Sequence, residues 1–323
     1  MSFNSTVAVY GAYGHTGRFV VAELRRRGLH PVLCGRDPAH LRALADEQPG
    51  TPTRHAPLES PEALDRALAG VSAVVNCAGP FGDTPPAVVD AACRAGAHYI
   101  DVAGEMLVAR RMFSDCLPPA GLVVLPATGF FGGLGDLLAT VAYGDWPRAD
   151  DVTVAVALDS WAPTAGSVRT GELRAGRRLV FAGGELRLLS GEVPPPSGTW
   201  TFPPPFGARN VEVEFPTADV VTIPRHLPTQ DIHTYLYSPP STTDVASRSG
   251  QRFQVEVVVR NGGQERRARA SGRDIYASSA ALAAEATSRV LRGQAKKDGL
   301  VALGEAFDAA DFLEAAGLRS TTC

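Results

Sequence analysis

The first 144 residues alternate short apolar runs with helical patterns, and this alternation restricts the possible folds more than any other feature. The strand-like runs, in order, are TVAVY, PVLCG, TPTRH, SAVVNCA, HYIDVA and LVVLPA. Between them, Asp37-Pro38 and Ser60-Pro61 each place a capping side chain before a proline suited to the first helical position. Strands that alternate with helices form βαβ units, so we predict an α/β fold with a doubly wound parallel sheet.

A glycine-rich turn connects the first predicted strand to the first helix. Its sequence, GAYGHTG, is a GxxGxxG variant of the GxGxxG dinucleotide fingerprint, and it stands between strand TVAVY and helix RFVVAELRRR. One glycine permits the tight turn, one lets the backbone approach a pyrophosphate, and one lets the helix pack on the strand. The free N–H groups of the helix N-terminus favour the phosphates. This context predicts a Rossmann-type domain whose cofactor contacts are Gly11, Tyr13, Gly14, His15, Thr16 and Gly17.

The end of the second strand distinguishes between the two nicotinamide dinucleotides. Enzymes that use NAD usually place Asp or Glu there, about 20 residues after the turn, to bind the ribose 2′-hydroxyl. This chain has Cys34-Gly35-Arg36 instead, so that glycine leaves room for a phosphate and the guanidinium of Arg36 can bind it. Asp37 precedes Pro38, and we expect its carboxylate to cap the next helix. The sequence therefore predicts NADP rather than NAD as the cofactor.

Later strand ends should lie at the same edge of the sheet, because ligands bind beyond the carboxyl ends of parallel strands. After the fourth strand, a loop of small residues is suited to the nicotinamide ribose; the predicted contacts are Cys77, Ala78, Gly79, Pro80 and Phe81. We expect Cys77 to be a buried hydrophobe rather than a nucleophile. Loop 128–133 and Asp136 are expected on the same rim.

The fifth strand and the loop after it supply the candidate proton donors. Tyr99 and Asp101 are two residues apart and so face the same side of the strand, and Glu105 follows them. Each has a structural alternative. Tyr99 and Asp101 could hydrogen-bond loop backbone, and Glu105 could begin a helix. We keep all three as candidate catalytic acids.

After Trp146-Pro147 the pattern changes to longer β-type segments, among them GELRLLSG and NVEVEFPTADVVTI, with an arginine-rich helical stretch near Ser167 to Val180. The run 194–209 holds six prolines and two glycines and cannot form a helix or a central strand. We expect it to be a surface loop, with a lid over a substrate cleft as the alternative.

A length of 323 residues also exceeds one ordinary core, so the chain should divide. The expected parts are a nucleotide-binding Rossmann domain at 1–146, an inserted α+β substrate and dimerisation domain at 147–275, and C-terminal helices at 276–323 that return to the first domain. A homodimer is a compatible assembly.

Composition narrows the class of protein further. Apolar content of 45% and charged content of 20% are those of a folded globular chain, and no window approaches the roughly 18 unbroken apolar residues of a membrane span. A net charge of -3 without a basic stripe disfavours nucleic acid. Five cysteines without CxxC spacing and seven histidines without paired-ligand spacing favour a reducing cytoplasm and no metal site. We expect a cytoplasmic protein with a small-molecule substrate.

Several segments together resemble the saccharopine dehydrogenase-like reductases, and the resemblance covers most of the chain. GAYGHTG, LCGR, VVNCAGPFG and HYIDVAGE are similar to motifs of that family's nucleotide domain, and GRDIYASSAALAAEATSRVLRG and GLVALGEAFDAADFLEAAGL to its terminal helices. The resemblance implies hydride transfer from NADPH to a polarised double bond. One departure is Phe131-Gly132, where family members often carry an Asp-Ser pair, and this argues against an amino-acid substrate such as saccharopine.

The leading functional hypothesis is therefore an NADPH-dependent oxidoreductase that reduces the C=N bond of an imine, as the resemblance suggests. An enoyl (C=C) reductase acting in trans resembles the same motifs, and the sequence does not separate the two. A short-chain dehydrogenase is disfavoured because none of the seven tyrosines is followed four residues later by lysine. A protein that senses NADP without turnover is the alternative from another class.

Overall fold

Two β-sheets organise the chain, which the computed structural model describes over residues 6–82, 84–174, 176–190, 196–318 and 320–322. The N-terminal strands are β1 (Thr6–Tyr10), β2 (His30–Gly35), β3 (Thr53–His55), β4 (Ala73–Asn76), β5 (His98–Asp101) and β6 (Val123–Leu125). The helices between and after them are α1 (His15–Arg26), α2 (Pro38–Glu47), α3 (Pro61–Leu68), α4 (Thr84–Arg94), α5 (Met106–Asp115) and α6 (Gly135–Tyr143).

The middle of the chain builds the second sheet. Its elements are β7 (Ala149–Leu158), α7 (Ala165–Arg174), β8 (Arg177–Ala182), β9 (Glu185–Ser190), β10 (Ser197–Thr201), β11 (Ala208–Val213), α8 (Asp219–Thr222), β12 (Thr229–Tyr237), β13 (Arg252–Asn261) and β14 (Gln264–Arg273). The C-terminal elements are α9 (Ile275–Leu291), β15 (Gly299–Leu300), α10 (Leu303–Ala306), α11 (Ala309–Ala315) and β16 (Thr321–Thr322).

The first sheet is parallel throughout and has the order β15-β6-β5-β4-β1-β2-β3. Its central strand β1 is buried on both faces, with Val7, Ala8 and Val9 fully inaccessible, as helices on both sides of a parallel sheet require. The helix starts follow the local sequence signals. Asp37 accepts hydrogen bonds from two amides of α2, and Ser60 accepts one from α3. The predicted α/β fold with a doubly wound parallel sheet is confirmed.

The second sheet is mixed and mainly antiparallel, with the order β10-β11-β12-β7-β13-β14-β16 and the hairpin β8-β9 attached to β12. Strands β7 and β12 pair in parallel at its centre. The returning helix α9 packs on α1, and α10 and α11 pack on α6. The predicted return of C-terminal helices to the first sheet is therefore present, and β15 extends that sheet by a strand. Because β16 joins the second sheet, the domain limits stay a prediction.

Three local expectations for the middle segment were wrong. Residues 219–222 form helix α8 although their β-branched run favours a strand, since burial against α5 and α6 decides the conformation. Strand β8 replaces the second half of the expected arginine-rich helix. Its burial alternates, with Leu179 and Phe181 buried between more exposed neighbours, which is a period of two.

The third expectation concerned the proline-rich run 194–209, which forms an edge hairpin and not a loop alone. Its first two residues lie outside the described part of the chain. Strands β10 and β11 pair antiparallel, and the prolines at 203–205 lie in their connection. An edge strand tolerates nearby prolines because one side of its backbone needs no partner.

No helix among the residues described is long and apolar enough to cross a membrane. Cys34, Cys77, Cys93 and Cys116 are free thiols in this part of the chain. The cytoplasmic location and the homodimer stay predictions.

Candidate active site

A cavity of about 1030 Å³ lies at the carboxyl edge of the first sheet and continues to the second sheet. Tyr10, Arg36 and Cys77, at the ends of β1, β2 and β4, line one part, and Leu158 and Leu236, at the ends of β7 and β12, line the other. The predicted cofactor contacts found in its wall are Gly11, Tyr13, Gly14, His15, Thr16, Arg36, Cys77, Ala78, Gly79, Pro80 and Phe81. Of the predicted contacts, Gly17 alone is absent from the wall.

The glycine turn has the close packing that a dinucleotide site needs. Gly11 has a positive φ of 78°, and a Cβ there would lie 2.8 Å from the backbone of Ala78, so that only glycine lets the β4 loop approach. A Cβ on Gly17 would collide with the carbonyl oxygen of Gly11, and Gly17 therefore serves helix packing rather than ligand contact. Gly14 is the N-cap of α1 and leaves its first-turn N–H groups without a side-chain cap. This arrangement fits the pyrophosphate of a dinucleotide.

The end of β2 provides a site that fits a further phosphate. Arg36 is exposed at the cavity rim, and its carbonyl oxygen lies 3.0 Å from Nε2 of His55. Asp37 turns away as predicted, since its Oδ1 accepts hydrogen bonds from the amides of Ala39 and His40. These bonds, chiefly that from His40, hold the pKa of Asp37 below its usual range. The guanidinium is thus the group at this strand end that can bind an anion.

A buried hydrogen-bond network beneath the cavity holds the β4 loop. The Asn76 side chain accepts from the amide of Ala78 at 3.0 Å and donates to the Tyr99 hydroxyl at 3.0 Å. Thr84 donates to the carbonyl of Ala78 at 2.6 Å. Sequence reasoning gave neither Asn76 nor Thr84 a role, although a polar residue closing an apolar strand was the available signal. Burial raises the pKa of the Cys77 thiol, which agrees with its prediction as a hydrophobe.

Tyr99 and Asp101 belong to this network and do not line the cavity. Both are fully buried, and the Tyr99 hydroxyl donates to Oδ2 of Asp101 at 3.1 Å. Oδ1 of Asp101 accepts from the amides of Ala103 and Ala127, at 3.0 and 2.8 Å, so the carboxylate ties two loops together. Burial raises the pKa of Asp101 to about 6, against the effect of these hydrogen bonds. Asp101 thus bonds to loop backbone, as its structural alternative predicts, whereas the Tyr99 hydroxyl bonds to the side chains of Asn76 and Asp101. Neither residue lines the cavity.

Glu105 does line the cavity, where the nucleotide part meets the second sheet. It immediately precedes α5, but its carboxylate makes no capping bond to that helix. One oxygen accepts a hydrogen bond from the Thr170 hydroxyl at 2.8 Å, and the other accepts from the amide of Gly104 at 2.9 Å. The side chain is therefore fixed at the wall by groups from two different elements.

Asp136 was expected on the rim and is instead fully buried away from the cavity. Its Oδ1 lies 2.8 Å from Nε2 of His226, and its Oδ2 accepts from the amide of Gly304 at 2.6 Å. Burial opposes the charged form of His226, but the adjacent carboxylate outweighs it and raises the pKa of the imidazole. The bond from Gly304 joins α10 to α6, and the pair with His226 joins the segment before β12 to α6, so Asp136 has a structural role. Phe130 and Phe131, which belong to loop 128–133 and were expected at the same edge of the sheet, do line the cavity.

Residues that sequence reasoning missed form the wall beyond the nucleotide turn. They are Leu158, Trp161, Thr164, Ser167, Thr170, Glu212, Phe215, Leu236, Arg248 and Tyr276. The Tyr276 hydroxyl accepts from the amide of Thr164 at 3.1 Å and lies 2.9 Å from Oγ of Ser167. His15 meets the Tyr276 ring edge-on at 4.9 Å, and burial, with the charge of Arg248, lowers the pKa of this imidazole. His15 thus stands neutral where the glycine turn meets this second part of the cavity.

Comparison with known proteins agrees with this geometry. Residues 7–114 match the family described as "Saccharopine dehydrogenase NADP binding domain". A probable mitochondrial saccharopine dehydrogenase-like oxidoreductase of Arabidopsis thaliana is 29% identical over 38% of this chain and 31% of its own length. A saccharopine dehydrogenase-like oxidoreductase of Homo sapiens is 26% identical over 38% of this chain and 34% of its own length. The chain thus spans about a third of each of these relatives.

The similarity in fold extends over the whole chain. The solved structure of saccharopine dehydrogenase (L-Glu forming) from Saccharomyces cerevisiae superimposes with a TM-score of 0.67, covering 98% of this chain and 99% of that one at 15% identity. At this identity the likeness concerns the fold. The domain match confirms the predicted cofactor class, since residues 7–114 are similar to the NADP-binding domain of saccharopine dehydrogenases.

Proposed function

We propose that the protein is an NADPH-dependent reductase that transfers hydride to the C=N bond of an imine. The observation that carries this proposal is the single cavity in which the glycine turn and Arg36 meet a second part walled by aromatic rings, with Glu105 at the junction. A cavity of about 1030 Å³ has room for a small substrate beside a dinucleotide.

The cofactor, when bound, supplies the hydride. Gly11, Gly14 and the first turn of α1 would hold its pyrophosphate, and Arg36 its extra phosphate. Loop 77–81 would lie against the nicotinamide ribose, and the network under Asn76 fixes that loop. These residues bind and orient, and the chemistry at the substrate falls to the wall beyond them.

Glu105 is the candidate acid that this geometry supports, because Tyr99 and Asp101 lie beneath the loops. An imine that has taken up a proton from solvent carries a positive charge, and the Glu105 carboxylate accepts a hydrogen bond from its N–H. The carboxylate thereby stabilises the charge that makes the neighbouring carbon electrophilic. Thr170 and the Gly104 amide orient it, so no reorganisation is needed when the charge develops. Reduction of a conjugated C=C bond would instead build negative charge beside this carboxylate, which disfavours it. The C=N bond is therefore the better match.

Oxidation of NADPH by the purified chain, measured by absorbance with a panel of cyclic imines and of enoyl thioesters, tests the proposal. We expect turnover with imines and none with thioesters. Glu105→Gln should abolish most of the turnover and leave NADPH binding intact, whereas Glu314→Gln, an exposed carboxylate on α11, should change neither. Tight NADPH binding without oxidation on either panel would contradict the proposal and favour a sensing protein.

A further inference from the structure

One corner of the cavity joins the glycine turn to the second part of the wall. The part of the cavity beyond Glu105 is called the substrate chamber below. Besides aromatic rings its wall contains four residues with polar groups, namely Thr164, Ser167, Arg248 and Tyr276. Tyr276 belongs to the first turn of α9, and its ring meets the imidazole of His15 edge-on at 4.9 Å. His15 is the first residue of α1, directly after Gly14. This corner of the chamber therefore adjoins the turn that fits the cofactor's diphosphate.

Arg248 is held at this corner through a single peptide group. Its Nη2 donates to the carbonyl of Pro163 at 2.7 Å, and the amide of Thr164, which belongs to the same peptide bond, donates to the Tyr276 hydroxyl at 3.1 Å. Its Nε donates to the carbonyl of Ala162 at 2.6 Å. These two bonds fix the plane of the guanidinium. The guanidinium is therefore separated from Tyr276 by one peptide group.

The guanidinium of Arg248 keeps a free donor and its full positive charge. Within the described residues, Nη1 has no hydrogen-bond partner and no carboxylate forms an ion pair with this side chain. Its charge reaches the glycine turn, since burial and the charge of Arg248 together lower the pKa of His15. With His15 neutral, the turn GAYGHTG has no charged side chain of its own. Arg248 is thus the cation placed to act on an anion at this turn.

The arginines of the cavity match the two places at which NADPH carries phosphate. Within the described wall these arginines are Arg36 and Arg248, and no lysine lines it. Arg36 stands at the end of β2, where the ribose 2′-phosphate is expected. The diphosphate is expected at the glycine turn, where the helix end supplies only a partial charge of about half a unit. A full charge near His15 therefore complements the diphosphate.

We propose that Arg248 binds the diphosphate of the cofactor through Nη1. Arg248 belongs to the connection between β12 and β13, whereas the glycine turn belongs to the first sheet. The second part of the chain thereby contributes to cofactor affinity, a role that the sequence motifs assign to the first part alone. Because NADPH and NADH share the diphosphate, Arg248 strengthens the binding of both and does not select between them. This role does not depend on which bond of the substrate is reduced.

The pKa of His15 in the cofactor-free protein tests the position of the charge. Burial lowers this pKa in both wild type and Arg248→Gln, but the variant lacks the guanidinium that further disfavours the imidazolium. NMR titration of the imidazole should therefore give a higher pKa in Arg248→Gln than in the wild type. An unchanged pKa would show that Arg248 does not lie near the turn, and it would overturn the proposal.

A stepwise series of ligands tests which part of the cofactor Arg248 contacts. The series is NADPH, 2′-phospho-ADP-ribose, which lacks the nicotinamide, and 2′-AMP, which also lacks the diphosphate. In calorimetric titrations, Arg248→Gln should raise the Kd for the first two ligands about tenfold or more and leave that for 2′-AMP within about twofold. NADH should lose the same factor as NADPH. Glutamine keeps N–H donors for the carbonyls of residues 162 and 163, so the variant removes chiefly the charge.

Arg252→Gln is the matched control for both measurements. It removes the same charge from an exposed arginine at the start of β13 that does not line the cavity, and it should change neither the Kd values nor the pKa of His15. Unchanged affinity for NADPH in Arg248→Gln would overturn the proposal, also where the KM for an anionic imine rises instead. A loss for NADPH that is absent for 2′-phospho-ADP-ribose would place Arg248 at the nicotinamide and refute the assignment. An equal loss for all three ligands would likewise refute it, because 2′-AMP has no diphosphate.

Discussion

Removing the guanidinium of Arg36 should separate NADPH from NADH. A hydrogen bond to a charged group contributes about 1.5–3 kcal/mol, and the exposure of Arg36 at the rim places its contribution at the lower end. We therefore expect Arg36→Ala to raise the Kd for NADPH about 10- to 30-fold. NADH lacks the phosphate, and its Kd should change less than about twofold. Calorimetric titration of both cofactors into the same preparation gives the two values directly.

Two further variants make this test specific. Arg36→Lys keeps the charge but loses the planar fork, so its NADPH affinity should fall between those of the wild type and Arg36→Ala. Arg42→Ala removes an exposed arginine of α2 that does not line the cavity, and it should affect neither cofactor. Equal losses for NADPH and NADH in Arg36→Ala would refute the assignment, because they would show that Arg36 does not contact the phosphate that distinguishes them.

Four other substitutions have defined outcomes. Glu105→Gln should lower kcat for an imine about 100-fold and leave the Kd for NADPH within about twofold. Thr170→Val should lower kcat less, because Thr170 only orients the Glu105 carboxylate. Equal kcat values for wild type and Glu105→Gln would exclude a catalytic role for Glu105. Gly17→Ala should weaken NADPH binding and destabilise the fold by about 1–3 kcal/mol in denaturant titrations, because its Cβ meets backbone that cannot move aside. Asp219 is fully buried with Oδ1 unpartnered within the described structure, and burial raises its pKa to about 6. A folded pKa above the unfolded value of about 3.9 gives stability that is complete below pH 4 and lost as the pH rises through about 6. The free energy of unfolding of Asp219→Asn should therefore exceed that of the wild type by roughly 3 kcal/mol at pH 8, and the difference should vanish near pH 4. A variant that is less stable than the wild type at pH 8 would contradict this account.

The features predicted well from the sequence are those fixed by local geometry. Asp37 caps α2 because a short carboxylate before a proline has few other partners, and no distant residue is needed to decide this. The positions of Gly11 and Gly14 are likewise determined locally, because the turn between a strand and a helix fixes the backbone conformation there. The position of Arg36 follows from counting along one βαβ unit.

The proton donors could not be assigned in the same way. Strand alternation predicts that Tyr99 and Asp101 face one side, and they do, since their side chains are hydrogen-bonded to each other. Whether that side is cavity or core depends on Asn76 and on the loop that contains Ala127, which close over the pair. Local sequence carries no signal for such closure.

The substrate chamber was hidden for a related reason. Thr164 and Tyr276 are hydrogen-bonded to each other although 112 positions separate them in the chain. Glu105 follows β5 and Thr170 lies on α7, and a hydrogen bond joins them although 65 positions separate them in the chain. Contacts of this kind depend on the packing of the two sheets, which neither periodicity nor motif spacing determines.

The unusual pair Phe131-Gly132 shows how backbone and chemistry are coupled in this chamber. Gly132 has a φ of 122°, and a Cβ there would lie 2.9 Å from the carbonyl oxygen of Ala127 and 3.0 Å from Cβ of Ala218. A serine at this position would therefore be strained, so the Asp-Ser pair that the sequence resemblance leads one to expect does not fit this backbone path. The same path directs the Phe131 ring into the wall beside Gly104. Replacing Phe131 alone by aspartate would thus change the polarity of the chamber without restoring the backbone of an amino-acid site, and it should not create activity on amino-acid imines.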